Sequence, residues 1–170
     1  PTAERARAVG EPALAADTTG LGGRAYFDLR GLTNSSYKTG DDWLRAAAEV
    51  TRAAGFETVV DEKPETFRAA FPLSHVALYA GWYDGSVSGP FRAAQVEFMP
   101  GALAYHLHSF NARSIRAAND FWVGPLLARG ATATFGYTAE PYLEGTVNVG
   151  ILWARLLQSG FSFGEAVYAA

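Results

Sequence analysis

Short apolar and β-branched runs recur along this chain, and segments with helical spacing separate most of them. Arg24–Leu29 (RAYFDL), Glu57–Asp61 (ETVVD), His75–Ala80 (HVALYA), Ala102–Leu107 (ALAYHL) and Ala131–Phe135 (ATATF) read as strands, with a further short one at Gln95–Phe98. Two of these runs hold continuous apolar stretches, Val76–Ala80 and Ala102–Tyr105, rather than alternating, which suits strands covered on both faces. The pattern predicts an α/β fold: a three-layer α/β/α sandwich with a mostly parallel sheet and right-handed crossovers. In such a sheet ligands bind beyond the C-terminal strand ends, so the pattern also locates a site.

The helical segments carry their own punctuation. Thr2 to Asp17 reads as a first helix, interrupted by Gly10 and Pro12 and followed by a glycine-rich exit turn. Thr39 with Asp42 resembles a capping box; Trp43, Ala47, Val50 and Ala54 follow at helical spacing, and Gly55 is placed as a left-handed stop. Pro64 to Ala70 is expected to form one or two helical turns. Ser114 to Arg129 is expected to be partly helical, with Pro125 as a kink or fresh start. Pro141 suits a first helical turn, Val149, Leu152, Trp153 and Leu156 give one apolar stripe, and Ser162 with Glu165 is a capping box. No repeat or linker divides the chain, so residues 1–170 are read as one domain, trimmed at one or both ends.

Composition removes several classes of chemistry. A net charge of −3 leaves no electrostatic footprint for nucleic acid. No cysteine is present, which excludes disulfides, thiolate metal ligands and a thiol nucleophile. No apolar run approaches the roughly 20 residues of a spanning helix. The glycine-rich pieces lack nucleotide-binding spacing, and no cofactor is expected.

Candidate chemistry gathers after two of the apolar runs. His106 and His108 form His-x-His; on a strand, residues two apart point the same way, so both rings could hold one metal with Asp84 or Glu140 as a third ligand. The plainer reading is a pair of ordinary strand-end histidines. Ser109 could be a nucleophile if His75 or His108 lay within reach and a third group such as Asp84 oriented that base. Equally, it could cap the following segment. Trp82 and Tyr83, in a loop between Gly81 and Gly85, could stack on a sugar or a peptide side chain, or could cover the end of the sheet. Glu140 could bind ligand, act as a base, or complement a helix dipole. Asp28 and Arg30, at the end of the first strand, face the same choice.

The words GLGGRAYFDLRG (Gly20–Gly31), YAGWYDGSVSGPF (Tyr79–Phe91), FMPGALAYHLHSFNARSIR (Phe98–Arg116), WVGPLLARGATATFGYTAEPYL (Trp122–Leu143) and the closing SFGEAVYAA resemble an uncharacterised group of bacterial proteins commonly predicted to be exported. Members of that group continue past this point with a segment resembling SW followed by GDPLYRP. The group is in turn distantly similar in architecture to caspase- and gingipain-like peptidases. That resemblance implies a catalytic-histidine loop at Tyr79–Gly85 and a cysteine at the strand end near His108–Phe110. This chain carries Trp82, Tyr83 and Asp84 in the first place and His108 and Ser109 in the second, so both positions of the dyad have departed. The resemblance implies a caspase-like scaffold outside the cytoplasm, not an activity. Three readings follow: a non-catalytic domain binding a peptide or glycan at the cleft, which the loss of both dyad positions favours; a hydrolase of altered chemistry, using Ser109 or a metal held by His106 and His108; and a structural module whose strand-end residues satisfy one another through buried hydrogen bonds.

Overall fold

A computed structural model describes residues 3–93 and 95–170. Its sheet has four strands, β1 (Arg24–Asp28), β2 (Glu57–Asp61), β3 (Leu73–Gly81) and β4 (Val96–His106), in the order β2-β1-β3-β4. Every pairing is parallel, as the alternation of runs predicts. The helices are α1 (Ala3–Thr19), α2 (Lys38–Ala53), α3 (Gly89–Arg92), α4 (Val123–Ala128), α5 (Val149–Gln158) and α6 (Phe163–Tyr168).

Apolar residues on successive strand positions feed two cores. Ala25, Phe27, Ala80 and Tyr105 pack with Leu44 and Ala47 of α2, Leu152 and Trp153 of α5 and Ala166 of α6. On the other face, Tyr26, Tyr79 and Ala104 meet Phe67, Phe91, Trp122 and Leu126. Each fully buried Phe or Leu contributes about 1.5–3 kcal/mol relative to exposure. Coverage of both faces explains the unbroken apolar run of β3, whose last six residues are all buried.

Parallel strands bring their C-terminal ends to one rim. Asp28 stands opposite Asp61 on one side and Gly81 on the other, and Gly81 opposite His106. The chain runs from β1 outward to β2, then returns past β1 to β3, so the order of strands reverses between β1 and β3. A crevice at such a reversal is the usual ligand site of an open parallel sheet.

Several local expectations are corrected. Thr39 lies inside α2 rather than at its cap, which is Tyr37 without a side-chain bond; Asp42 instead pairs with Lys38 one turn back, at 2.5 Å. Residues 64–70 form no helix. Phe67 is drawn into the core, where it stacks on Phe71 at 4.3 Å, and its N–H donates to Asp28 Oδ2 at 3.0 Å instead of to a helical carbonyl. The two strands expected around Pro100 are one strand, Val96–His106, with Gly101 at φ +82. Residues 114–122 are not helical, and only Val123–Ala128 forms a helix. Residues 131–135 make a single bridge, Leu103 to Ala133, instead of a strand. Pro141 precedes a 3₁₀ turn, Leu143–Gly145, and no α-helix starts there. Helix α1 continues through Gly10 and Pro12 to Thr19; Thr2, where it was expected to begin, lies outside the described residues. The left-handed stop at Gly55 (φ +90) and the capping box of Ser162 and Glu165 are present.

Candidate functional site

Beyond the rim, the loops after β3 and β4 and residues 140–146 enclose a cleft of about 290 Å³. Trp82, Leu107 and Leu143 supply apolar surface. Tyr37, Tyr83 and Tyr142 line it with exposures of 53%, 43% and 73%, and Ser109, Glu140 and Glu144 are its polar members.

Trp82 is fixed by Asp41, a residue inside the stretch Thr39–Asp42 whose pattern resembles a cap. Asp41 is fully buried on α2, and its Oδ1 accepts from Trp82 Nε1 at 2.7 Å and from the Arg30 N–H at 2.9 Å. Its Oδ2 accepts from the Leu32 N–H at 2.6 Å. One carboxylate thus ties the end of β1, the following loop and the cleft floor to α2. The indole lies against Gly40, where a Cβ would come within 2.5 Å of the ring. Trp82 is therefore floor, not an exposed stacking platform; Tyr83 next to it is the exposed ring. Tyr83 is flanked by the Arg30 guanidinium, 4.8 Å from its centroid, and by the His108 ring at 4.6 Å.

His106 and His108, expected to converge, part company. β4 ends at His106, so the two-residue period does not extend to His108. The His106 ring is fully buried and stacks on Trp122 at 3.5 Å. Its Nε2 accepts from the Asp84 N–H at 3.3 Å, which leaves the ring proton on Nδ1 to be donated to Tyr79 Oη at 2.9 Å. Both nitrogens are engaged in the core, and burial, with His108 nearby, holds the imidazole neutral by pushing its pKa well below the usual range. The proposed metal pair is corrected accordingly, and among the described residues no cluster of three or more metal-ligating side chains occurs. His108 is half-buried, with Nδ1 2.6 Å from the Ser109 carbonyl oxygen.

The nucleophile reading of Ser109 fares similarly. Ser109 Oγ donates to Glu140 Oε1 at 2.6 Å, and the same oxygen accepts from the Tyr142 N–H at 3.0 Å. The Ser109 hydroxyl, then the Tyr142 amide, hold the Glu140 carboxyl below its ordinary range, which makes it a weak base. His75 lies near the N-terminal end of β3, away from the rim, beside Glu97 at 3.3 Å. Asp84 orients His106 through its backbone N–H; its carbonyl accepts from Trp122 Nε1 at 2.6 Å, and its own side chain is exposed. Among the described residues no histidine nitrogen is hydrogen-bonded to Ser109 Oγ.

Two further residues organise the rim. Asn111 is fully buried; its Nδ2 donates to the His106 carbonyl at 2.6 Å and its Oδ1 accepts from the Tyr137 N–H at 2.7 Å. Asp28 is buried at the end of β1, and among the described residues its Oδ1 has no hydrogen-bond partner. Burial, with the Asp61 charge adding to it, pushes its carboxyl up to about 7. Nothing in their spacing marks Asp41 or Asn111 as central. Their importance comes from donors supplied by distant segments.

Compared with protein-family models, with curated proteins and with solved structures, the chain shows no significant match to any.

Proposed function

We propose that this chain is a caspase-like α/β domain without peptidase chemistry, binding a peptide or glycan in the cleft at the strand C-terminal rim. The observation that carries the reading is the bond from Ser109 Oγ to Glu140 Oε1. The one hydroxyl nucleophile candidate singled out in the cleft is engaged by a depressed carboxylate rather than by a neutral base. Support for a binding role comes from the walls: Tyr83 and Tyr142 present amphipathic rings to solvent around a concave surface. Support for the caspase-like scaffold comes from the parallel order β2-β1-β3-β4, with the departed dyad positions falling in the two loops that border the cleft. A location outside the cytoplasm rests on the resemblance of the sequence words alone.

Binding is tested by following backbone amide resonances of the protein against panels of short peptides and of oligosaccharides. Saturable shifts confined to Tyr83, Ser109 and residues 140–146 are expected for one panel. Tyr142→Ala, at a largely exposed position, should weaken that binding about tenfold, as loss of one aromatic anchor does, while leaving the unfolding midpoint unchanged. Absence of saturable shifts with either panel would refute the reading.

A further inference from the structure

We infer that the cleft takes a neutral oligosaccharide, seated against its tyrosine rings; this rests on the cleft being a binding site and names the class of ligand it holds. Backbone groups around the cleft are already engaged. Along the outer edge of β4, the Ala104 N–H donates to the Ala133 carbonyl at 3.0 Å, and the Ala102 carbonyl accepts from the Thr132 N–H at 2.8 Å. The His106 carbonyl accepts from Asn111 Nδ2. An extended peptide that binds by adding a strand needs such groups free. Nearer the floor, the N–H groups of Trp82, Leu107, Tyr142 and Thr146 donate to Asp28, Gly81, Glu140 and Leu143, in that order. What the cleft offers a ligand is therefore side chain rather than main chain.

Those side chains match a sugar. A sugar ring has an apolar face of C–H groups and a rim of hydroxyls, which suits aromatic rings set among small donors and acceptors. Trp82, pinned by Asp41, meets Tyr37 and Tyr83 edge to face at 6.4 and 5.9 Å, so both exposed rings are held before a ligand arrives. Rings placed in advance bind at lower ordering cost. Among the described residues, the hydroxyls of Ser36, Tyr37, Tyr83 and Tyr142 form no internal hydrogen bond, and Glu140 takes both of its own at Oε1, so Oε2 stays open. Sugar hydroxyls, each both donor and acceptor, satisfy such a mixed set. A proline-rich peptide, the other partner of aromatic grooves, brings carbonyl acceptors but no N–H for the two carboxylates. Glu140 and Glu144 are the charged lining residues, so an acidic sugar is repelled. The volume of about 290 Å³, at the bottom of the roughly 300–1,000 Å³ range of small-molecule sites, seats about one ring while its neighbours extend into solvent.

The test follows amide resonances of the protein during titration with neutral trisaccharides: cellotriose, maltotriose, mannotriose, xylotriose and chitotriose. Trigalacturonate serves as the acidic sugar, and acetyl-hexaproline amide and acetyl-Thr-Val-Thr-Val amide as the peptides. At least one neutral trisaccharide should give saturable shifts at Tyr37, Tyr83, Tyr142 and Glu144, unchanged as salt rises because no charges are paired. Tyr37→Ala should weaken that binding about tenfold. Tyr37→Phe, which keeps the ring and loses one neutral hydrogen bond, should weaken it only about threefold. Equal losses in the two variants, or trigalacturonate binding as tightly as the neutral sugar, would overturn the assignment of a neutral sugar on these rings. If either peptide shifts the cleft and no trisaccharide does, the sugar assignment is overturned and the binding cleft stands. If no probe perturbs the cleft, both are overturned.

Discussion

Replacing Asp41 by alanine is expected to destabilise the domain by about 3 kcal/mol or more and to disorder the cleft floor. The side chain accepts from Trp82 Nε1 and from the N–H groups of Arg30 and Leu32, all within 2.9 Å. Removing it leaves those donors facing a small void, and each unsatisfied buried polar group costs about 1–3 kcal/mol. Against a typical domain stability of about 5–15 kcal/mol, that is a large fraction. Alanine also releases the indole, since the ring is held between Asp41 and Gly40. Urea unfolding followed by far-ultraviolet circular dichroism measures the loss, and near-ultraviolet circular dichroism of the folded variant reports whether Trp82 has moved. Asp41→Asn, which retains one acceptor oxygen but turns an amide toward one of the donors, should fall between the two. A loss below about 1 kcal/mol for alanine would show that these donors find other partners and that Asp41 does not hold the rim together.

The second large effect is on pH dependence. Asp28 is buried with one oxygen unpartnered among the described residues, and burial raises its folded-state carboxyl to about 7 from an ordinary 3.8. Because the folded state binds the proton more tightly than the unfolded chain, this group's contribution is fully present below about pH 4. It is lost progressively as pH rises toward 7. Between about pH 5 and pH 8 the loss is on the order of 3 kcal/mol. Asp28→Asn keeps the oxygen that accepts from the Phe67 N–H but cannot ionise. The expected result is that the variant is more stable than the parent at pH 8, with an advantage that shrinks by that amount toward pH 5. Denaturant unfolding at the two pH values reads it directly. A stability difference that stays constant across the range would mean that Asp28 is ionised throughout, with its second oxygen satisfied.

Much of the architecture could be read from residues. The apolar runs at Ala25–Leu29, Val76–Ala80 and Ala102–Leu107 are buried because helices and loops cover both sheet faces, and that condition is what makes a parallel sheet the consistent solution. The caps of α6 and the stop at Gly55 were legible because they depend on neighbours in sequence. Segments decided by distant partners were not. Residues 64–70 have local helical character, yet the Phe67 N–H is taken by Asp28 and its ring by Tyr26 and Phe71. Thr39 to Asp42 has the look of a cap, but Asp41 serves strands and loops that no spacing rule connects to it.

The site divides along the same line. Its location at the ends of β3 and β4 follows from parallel strands alone. The partnering within it does not: alternation placed His106 and His108 together, whereas the strand ends at His106 and its ring turns into the core against Trp122. Ser109 and Glu140 lie 31 positions apart, and their bond depends on the path of the loop after the Ala133 bridge.

Reaction of the intact protein with a fluorophosphonate, read by peptide mass spectrometry at Ser109, is the most direct test of a cleft that binds without cleaving. With its hydroxyl held by Glu140 and no histidine at Oγ, Ser109 should remain unmodified under conditions that label an ordinary serine hydrolase to completion. A stoichiometric adduct on Ser109, abolished by His108→Ala, would contradict that picture and establish a hydrolase in its place.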